Sequence, residues 1–222
     1  REDTQLLAES VANKASNEAK QAYIEAMSSR TADGDYGSSF GIGGSSMDDS
    51  DKDAKAILTV LNSFDTSTPS GRAAFDQAIK AMPQDTLDSV AKAGANETSF
   101  NSANHISVSY KTDQLNTLLD KVAGSSDAQV KGKVFAAAAD VVSGMRENAG
   151  VHLGMSSVGT EPKIQGVVDR MTTVMNSDPR GITDQLNKGD AYGLGLSTYV
   201  SEVMRQDPEA GAKTLGNQLA QL

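Results

Sequence analysis

The sequence contains no cysteine and no tryptophan, and only 5% of its 222 residues are aromatic. Without cysteine the chain forms no disulfide, no thiolate nucleophile and no thiolate metal site. This lack suits a chain that is exported and then refolds. Because aromatic side chains are few, the core must be assembled largely from Leu, Val, Ile, Met and Ala, which favours packed helices.

The sequence also lacks the run of roughly 18 apolar residues that a membrane-spanning helix needs, so we expect no membrane insertion. Its 20 Lys and Arg residues are outnumbered by 29 Asp and Glu residues, for a net charge of −9 at pH 7. Phosphate backbones repel such a chain, and we therefore expect no nucleic-acid partner. The first residue is Arg1 instead of Met, from which we expect a processed product or a fragment of a longer protein.

Apolar residues recur three or four positions apart along most of the chain, which is the pattern of amphipathic helices. The pattern predicts an all-α fold, an irregular bundle of about nine helices that begins with one long helix over 5–27. We divide the chain into an N-terminal helix (1–30), a flexible loop or linker rich in Gly, Ser and Asp (31–50), and a main helical domain (51–222).

One short segment departs from the helical pattern. Ile106, Val108 and Tyr110 alternate with polar residues over 105–110, and this period of two indicates a strand. A weaker alternation runs over 151–156. The second segment is therefore a candidate partner of the first in a minor two-stranded ribbon.

The two histidines of the chain, His105 and His152, lie in these same two segments. If the segments pair, the histidines come near each other and are candidates for proton transfer or metal binding. Because no third ligand stands at a recognisable spacing, a structural or surface role is favoured. We therefore expect that replacing either histidine with Ala leaves any activity largely intact.

A group of aspartates is the best candidate for binding a cation, with calcium as the ion. Its members are Asp33, Asp35, Asp49, Asp51 and Asp53. Three of them alternate as in an EF-hand loop, but Ala54 replaces the glycine and Val60 the final glutamate of that motif. Solvated charges and helix caps are therefore favoured. We expect no other cofactor, since the glycine-rich residues 41–44 lack the Lys-Ser or Lys-Thr pair of a phosphate loop.

Two further groups of residues have a functional and a structural interpretation. Hydrolysis of glycosides needs two carboxylates across a cleft, and sequence spacing leaves the pair open among Glu25, Glu97, Glu147, Glu161 and Glu202. Met171 and Met175 are candidates for an adaptable docking face. Their regular spacing with Ile164 and Val168 favours ordinary burial instead.

Residues 114–127 and 171–186 combine helical apolar spacing with Asn and Asp residues. In composition they resemble the helical regions of large secreted proteins of Gram-negative bacteria, including filamentous-haemagglutinin-like and polymorphic toxins and injected effectors. The resemblance covers mostly 84–222 and carries no functional residue over. It implies a delivery and interaction domain or the toxic domain itself.

Two functions follow as expectations. The first is a non-catalytic interaction or structural domain of a secreted bacterial effector or toxin, which binds a protein partner. The alternative is an effector hydrolase that acts on cell-wall glycan or peptide. In both cases we expect the protein to be secreted or delivered into a target cell, and otherwise cytoplasmic.

Overall fold

A computed structural model describes residues 3–32, 49–95, 98–102, 105–151, 159–188 and 193–220. Within these ranges the chain forms eleven helices and one two-stranded hairpin, so the predicted all-α class is confirmed. The elements are α1 (Asp3–Lys14), α2 (Asn17–Ala32), α3 (Asp49–Asn62), α4 (Pro69–Ala81), α5 (Gln84–Ala95), β1 (Thr98–Ser102), β2 (His105–Ser109), α6 (Asp113–Ala123), α7 (Ala128–Val151), α8 (Thr160–Ser177), α9 (Pro179–Leu186), α10 (Gly193–Gln206) and α11 (Pro208–Leu219).

The prediction of about nine helices is too low, and the first helix shows why. The segment expected to be one helix over 5–27 is broken at Ala15 and Ser16 into α1 and α2. The Ser16 hydroxyl accepts a hydrogen bond from the backbone N–H of Ala19 at 3.2 Å, as an N-cap does. The apolar spacing continues across this cap, so periodicity alone does not reveal the break.

Three helices begin with a capping side chain followed directly by proline. Thr68, Asp178 and Asp207 each accept a hydrogen bond, at 3.0–3.1 Å, from a backbone N–H in the first turn of α4, α9 or α11. Proline is well suited to the first helical position because it has no N–H to satisfy. These pairs therefore start a helix at once, so α9 follows α8, and α11 follows α10, after a single residue.

Helix α7 forms the centre of the bundle and packs against α4, α5, α6, α8, α9 and α10. Its small side chains allow close packing of α10. A Cβ atom built on Gly195 of α10 would lie 3.5 Å from the Cα of Ala136 and 3.6 Å from the Cβ of Ala139. This is ordinary contact for a methyl group, with no room for a longer side chain.

The strand over 105–110 is confirmed and ends at Ser109, but its predicted partner is wrong. β2 pairs antiparallel with β1, with Thr98 opposite Ser109. Val151 is the last residue of α7, and 152–156 lie outside the described residues. The sequence of β1 hides the strand because Phe100 is its one large apolar residue, although neighbouring segments commonly pair.

The N-terminal helices belong to the same core as the rest. Ala8 of α1 and Ile24 of α2 are buried in the hydrophobic core, and both helices pack on α3. Helix α2 extends to Ala32 and α3 begins at Asp49, so the predicted linker lies, except at its ends, outside the described residues. Among the helices described, none is both long and apolar enough to cross a membrane.

A buried lysine closes the C-terminal end of α4. The ammonium group of Lys133, on α7, donates hydrogen bonds to the carbonyl oxygens of Lys80, at 3.3 Å, and of Met82. Burial lowers the pKa of Lys133. Because carbonyls at a helix C-terminus lack partners within the helix and carry partial negative charge, a cation is favourable there. The contact fixes the position at which α4 ends.

Candidate functional site

The larger of two described cavities is a groove of about 470 Å³ between α2 and the C-terminal half of α4. Its floor is apolar and consists of Ile24, Ala78 and Met82, which are at most 5% exposed. Polar side chains of Gln21, Glu25, Ser28, Ser29 and Gln77 also line it. An apolar floor with a polar rim is typical of a surface that binds another molecule.

The groove follows from helix periodicity. Gln21, Ile24 and Ser28 recur three or four positions apart on α2, so they lie on one face of that helix. Ala78 and Ala81 do the same on α4, and Pro83 follows the helix, so the groove ends where α4 ends. The small alanine side chains leave space that a larger residue would fill.

The second cavity, of about 290 Å³, lies between α5, α7 and the residue that follows β2. Lys92 of α5 and both Asp140 and Glu147 of α7 line it. The Asn148 side-chain amide donates a hydrogen bond to the Tyr110 hydroxyl at 2.5 Å. This contact attaches the end of β2 to α7 at the cavity wall.

Negative charges act on each other across the interface of α5 and α7. Burial raises the pKa of Asp88, and the nearby carboxylates Asp140 and Asp85 raise it further. A hydrogen bond from the Gln84 side-chain amide to Asp88, at 2.8 Å, opposes this shift. Asp140, which lines the second cavity, therefore acts electrostatically on Asp88.

Arg146 joins three helices at the same end of α7. Its guanidinium donates to both carboxylate oxygens of Glu202 on α10, at 2.9 and 2.7 Å, and to both of Glu161 on α8, at 2.5 and 2.9 Å. The hydrogen bonds that Arg146 donates to Glu161 and to Glu202 raise its pKa, and the contact with Arg146 lowers the pKa of Glu161. Every guanidinium nitrogen is engaged, so the cluster is a structural staple.

Comparisons with protein-family models, curated proteins and solved structures find no match for this chain. No residue, cofactor or partner is therefore carried over from a relative. The functional argument rests on the groove, the second cavity and the Arg146 cluster.

Of the two histidines, one lies within the described residues. His105 is the first residue of β2, opposite Ser102, and His152 lies outside the described residues. The Tyr110–Asn148 hydrogen bond brings the residue after β2 to the C-terminal part of α7. A shared proton-transfer or metal-binding role stays a prediction.

The aspartate group is partly described. Asp33 and Asp35 lie outside the described residues, whereas Asp49 is the first residue of α3. Asp51 and Asp53 are two positions apart in that helix, about 200° around its axis, so their side chains diverge. Asp51 is exposed, and Asp53 is buried with its carboxylate 3.5 Å from Nη2 of Arg30.

Calcium binding by this group stays a prediction as well. Among the residues that the structure describes, no cluster of three or more His, Asp or Glu side chains is arranged to hold a metal ion. An EF-hand brings alternate carboxylates together because its loop is not helical at those positions. The helical start of α3 separates Asp51 from Asp53 instead.

The other candidates divide between core and surface. Met171 and Met175 are buried, as their spacing favours, so they form no docking face. Of the five glutamates, Glu161 and Glu202 meet on Arg146, Glu25 lines the groove and Glu147 lines the second cavity; Glu97 lies outside the described residues.

Sequence reasoning missed Lys92, Asp140 and Arg146 as functional or structural groups. One signal was present: Asp140 and Glu147 are seven positions apart, which is two helical turns, so they share a face of α7. No sequence signal indicates which helix faces that pair. Lys92 lies nearly fifty positions earlier in the chain, and packing alone brings it there.

Proposed function

We propose that this chain is a protein-binding helical domain whose partner docks in the groove between α2 and α4. The observation that carries the proposal is the groove itself, about 470 Å³ in volume with Ile24, Ala78 and Met82 on its floor. Binding a helix in an apolar groove is a common mode of recognition, in which side chains three or four positions apart fill the groove.

The charge of the groove indicates the chemistry of the partner. Among the described residues that line it, Glu25 is the one charged side chain, and it is exposed. We infer a partner segment that presents apolar side chains beside a Lys or Arg, which pairs with Glu25. The net charge of −9 attracts such a segment at long range and speeds its association.

The composition of 84–222 supports a setting for this activity. Its resemblance to helical regions of secreted bacterial proteins leads us to propose an interaction domain of a secreted effector or toxin. The partner is then a protein of the delivery machinery or of the target cell.

A phage-displayed library of random peptides, each roughly 12 residues or three helical turns, tests the groove. Ala81 and Ala73 are both exposed on α4, but Ala81 lines the groove and Ala73 does not. Peptides selected on the unmodified chain should lose binding to Ala81→Arg and keep it to Ala73→Arg. Failure to select peptides, or equal binding to both variants, would refute docking in the groove.

The charge argument has its own matched pair. Glu25 and Glu18 are both exposed on α2, and Glu25 alone of the two lines the groove. Selected peptides should be enriched in Lys or Arg. Glu25→Lys should lower their affinity for the chain roughly tenfold, while Glu18→Lys has little effect on it. Peptides without basic residues would show that the groove is recognised by shape alone.

One observation favours the hydrolase as a second candidate. Asp140 and Glu147 place two carboxylates on the wall of one cavity, and acid-base hydrolysis uses such a pair. If the chain is a cell-wall hydrolase, it should release soluble fragments from purified bacterial sacculi, and Asp140→Asn or Glu147→Gln should abolish the release. No release by the unmodified chain would exclude this function.

A further inference from the structure

The second cavity carries an inference that does not depend on the groove. Three of its lining residues, Lys92, Asp140 and Glu147, are exposed and charged. Within the described part of the chain, none of these three side chains forms a hydrogen bond or an ion pair. Charges elsewhere in the bundle are paired, as where the Nζ of Lys80 lies 3.0 Å from the carboxylate of Asp127. Among the described residues, the cavity therefore offers two negative charges and one positive charge that have no ion-pair partner.

The geometry separates these charges. Asp140 and Glu147 lie on one face of α7, and seven residues at 1.5 Å each separate their Cα atoms by about 10.5 Å along the helix axis. Lys92 belongs to α5, so it faces them from another wall of the cavity. The cavity size of about 290 Å³ lies at the lower end of known ligand sites. It suits a small metabolite and is too small for a helix.

We propose that this cavity binds a basic amino acid, whose carboxylate pairs with Lys92 and whose two cationic groups pair with Asp140 and Glu147. Such a ligand carries two positive charges and one negative charge, the complement of the three side chains. Charge-assisted hydrogen bonds are the strong ones, and each of the three contacts contributes to selectivity.

Calorimetry and thermal shift on the whole chain, with millimolar L-lysine and L-arginine as probes, test the proposal. Either amino acid should bind and raise the melting temperature. Cadaverine, which lacks the carboxylate, and L-norleucine, which lacks the side-chain cation, should each bind roughly tenfold or more weakly, because each loses one charged contact. L-Glutamate should not bind.

Charge-removing variants locate the site. The affinity for L-lysine should fall roughly tenfold in each of three variants, Lys92→Met, Asp140→Asn and Glu147→Gln. The matched controls Glu18→Gln and Lys213→Met remove exposed charges that do not line the cavity, and they should bind as the unmodified chain does. Far-ultraviolet circular dichroism checks that each variant is folded.

A steric pair keeps the proposal testable if a charge variant fails to fold. A Cβ atom on Gly144 or on Gly216 would meet no atom within 4 Å, so both accept a larger side chain, but Gly144 alone lines the cavity. Gly144→Leu should abolish binding and Gly216→Leu should not. The proposal is overturned if neither L-lysine nor L-arginine binds, if norleucine binds equally well, or if the cavity variants bind as the controls do.

Discussion

Replacing Arg146 with Met tests the interpretation of the Arg146 cluster as a staple. The side chain of Glu202 is 5% exposed and accepts two hydrogen bonds from Arg146. Once the guanidinium is gone, the ion-pair partner that Glu202 keeps among the described residues is Arg205, whose Nε lies 4.0 Å from the carboxylate and whose side chain is 58% exposed. The substitution therefore leaves a buried carboxylate with one weak partner.

The magnitude follows from the burial of the two carboxylates. Removing one partner of a buried ion pair costs about 3–5 kcal/mol, and the proximity of Arg205 places this case near the lower end. Glu161 is 50% exposed, so removing its ion pair with Arg146 alone should lower the free energy of unfolding by less than about 1 kcal/mol. A loss of about 3 kcal/mol lowers the melting temperature of a chain of this length by roughly 6–12 °C.

Urea unfolding followed by circular dichroism measures these free energies for Arg146→Met and Glu161→Gln. The double variant Arg146→Met with Glu202→Leu should recover most of the loss, because it leaves no buried charge. A loss below about 1 kcal/mol for Arg146→Met would refute the reasoning, since it would mean that Glu202 is not effectively buried. An equal loss for Glu161→Gln would refute it too, by showing that the exposed contact dominates.

Three further predictions concern stability. Because the pKa of Asp88 is raised in the native chain, its carboxyl group holds a proton more tightly there than in the unfolded chain. Stability therefore falls as pH rises from the pKa of the unfolded chain, about 3.9, through the higher pKa of the native chain. Asp88→Asn should therefore melt higher than the unmodified chain at neutral pH and lose this advantage in acid. Lys133→Met leaves two carbonyls of α4 without a donor and should cost about 1–3 kcal/mol in urea unfolding, whereas Lys213→Met should cost almost nothing. Gly195→Ala should stay within about 1 kcal/mol of the unmodified chain, and Gly195→Leu should lower the melting temperature clearly, because a methyl group fits between α7 and α10 and a longer side chain does not.

The helical class was predictable because apolar spacing extends over most of the chain. The face of α8 that carries Ile164, Val168 and Met175 is buried as its period indicates. Helix breaks that depend on a single side chain were harder to predict. Ser16 interrupts a continuous apolar stripe through one hydrogen bond, which periodicity does not register.

The strand pairing shows a different limit. The alternation over 105–110 was visible because Ile106 and Val108 stand between polar residues. The partner strand β1 has the sequence Thr-Ser-Phe-Asn-Ser, in which one large apolar residue sets no period. Its pairing comes from chain proximity and backbone hydrogen bonds, so a search for a second alternating segment led to 151–156 instead.

The candidate sites were less predictable than the fold, because their residue types are ordinary for helix surfaces. Glu147 was recognised as a carboxylate, but Lys92 has no sequence feature that distinguishes it from other exposed lysines. Both become candidates when α5 packs on α7 and encloses space between them. Such a site depends on the distance between two helices, which the sequence encodes only through the whole core.

The two cavities also differ in what would have to be preserved for them to work. The groove depends on small side chains, since Ala78 and Ala81 leave its space open, and on the end of α4 that Lys133 fixes. The second cavity depends on three exposed charges that form no ion pair among the described residues, whereas the buried carboxylate of Glu202 is paired with Arg146. Unpaired charges of both signs on one concave surface contribute little to folding. For that reason the second cavity is the stronger indication of a ligand, and the groove is the stronger indication of a protein partner.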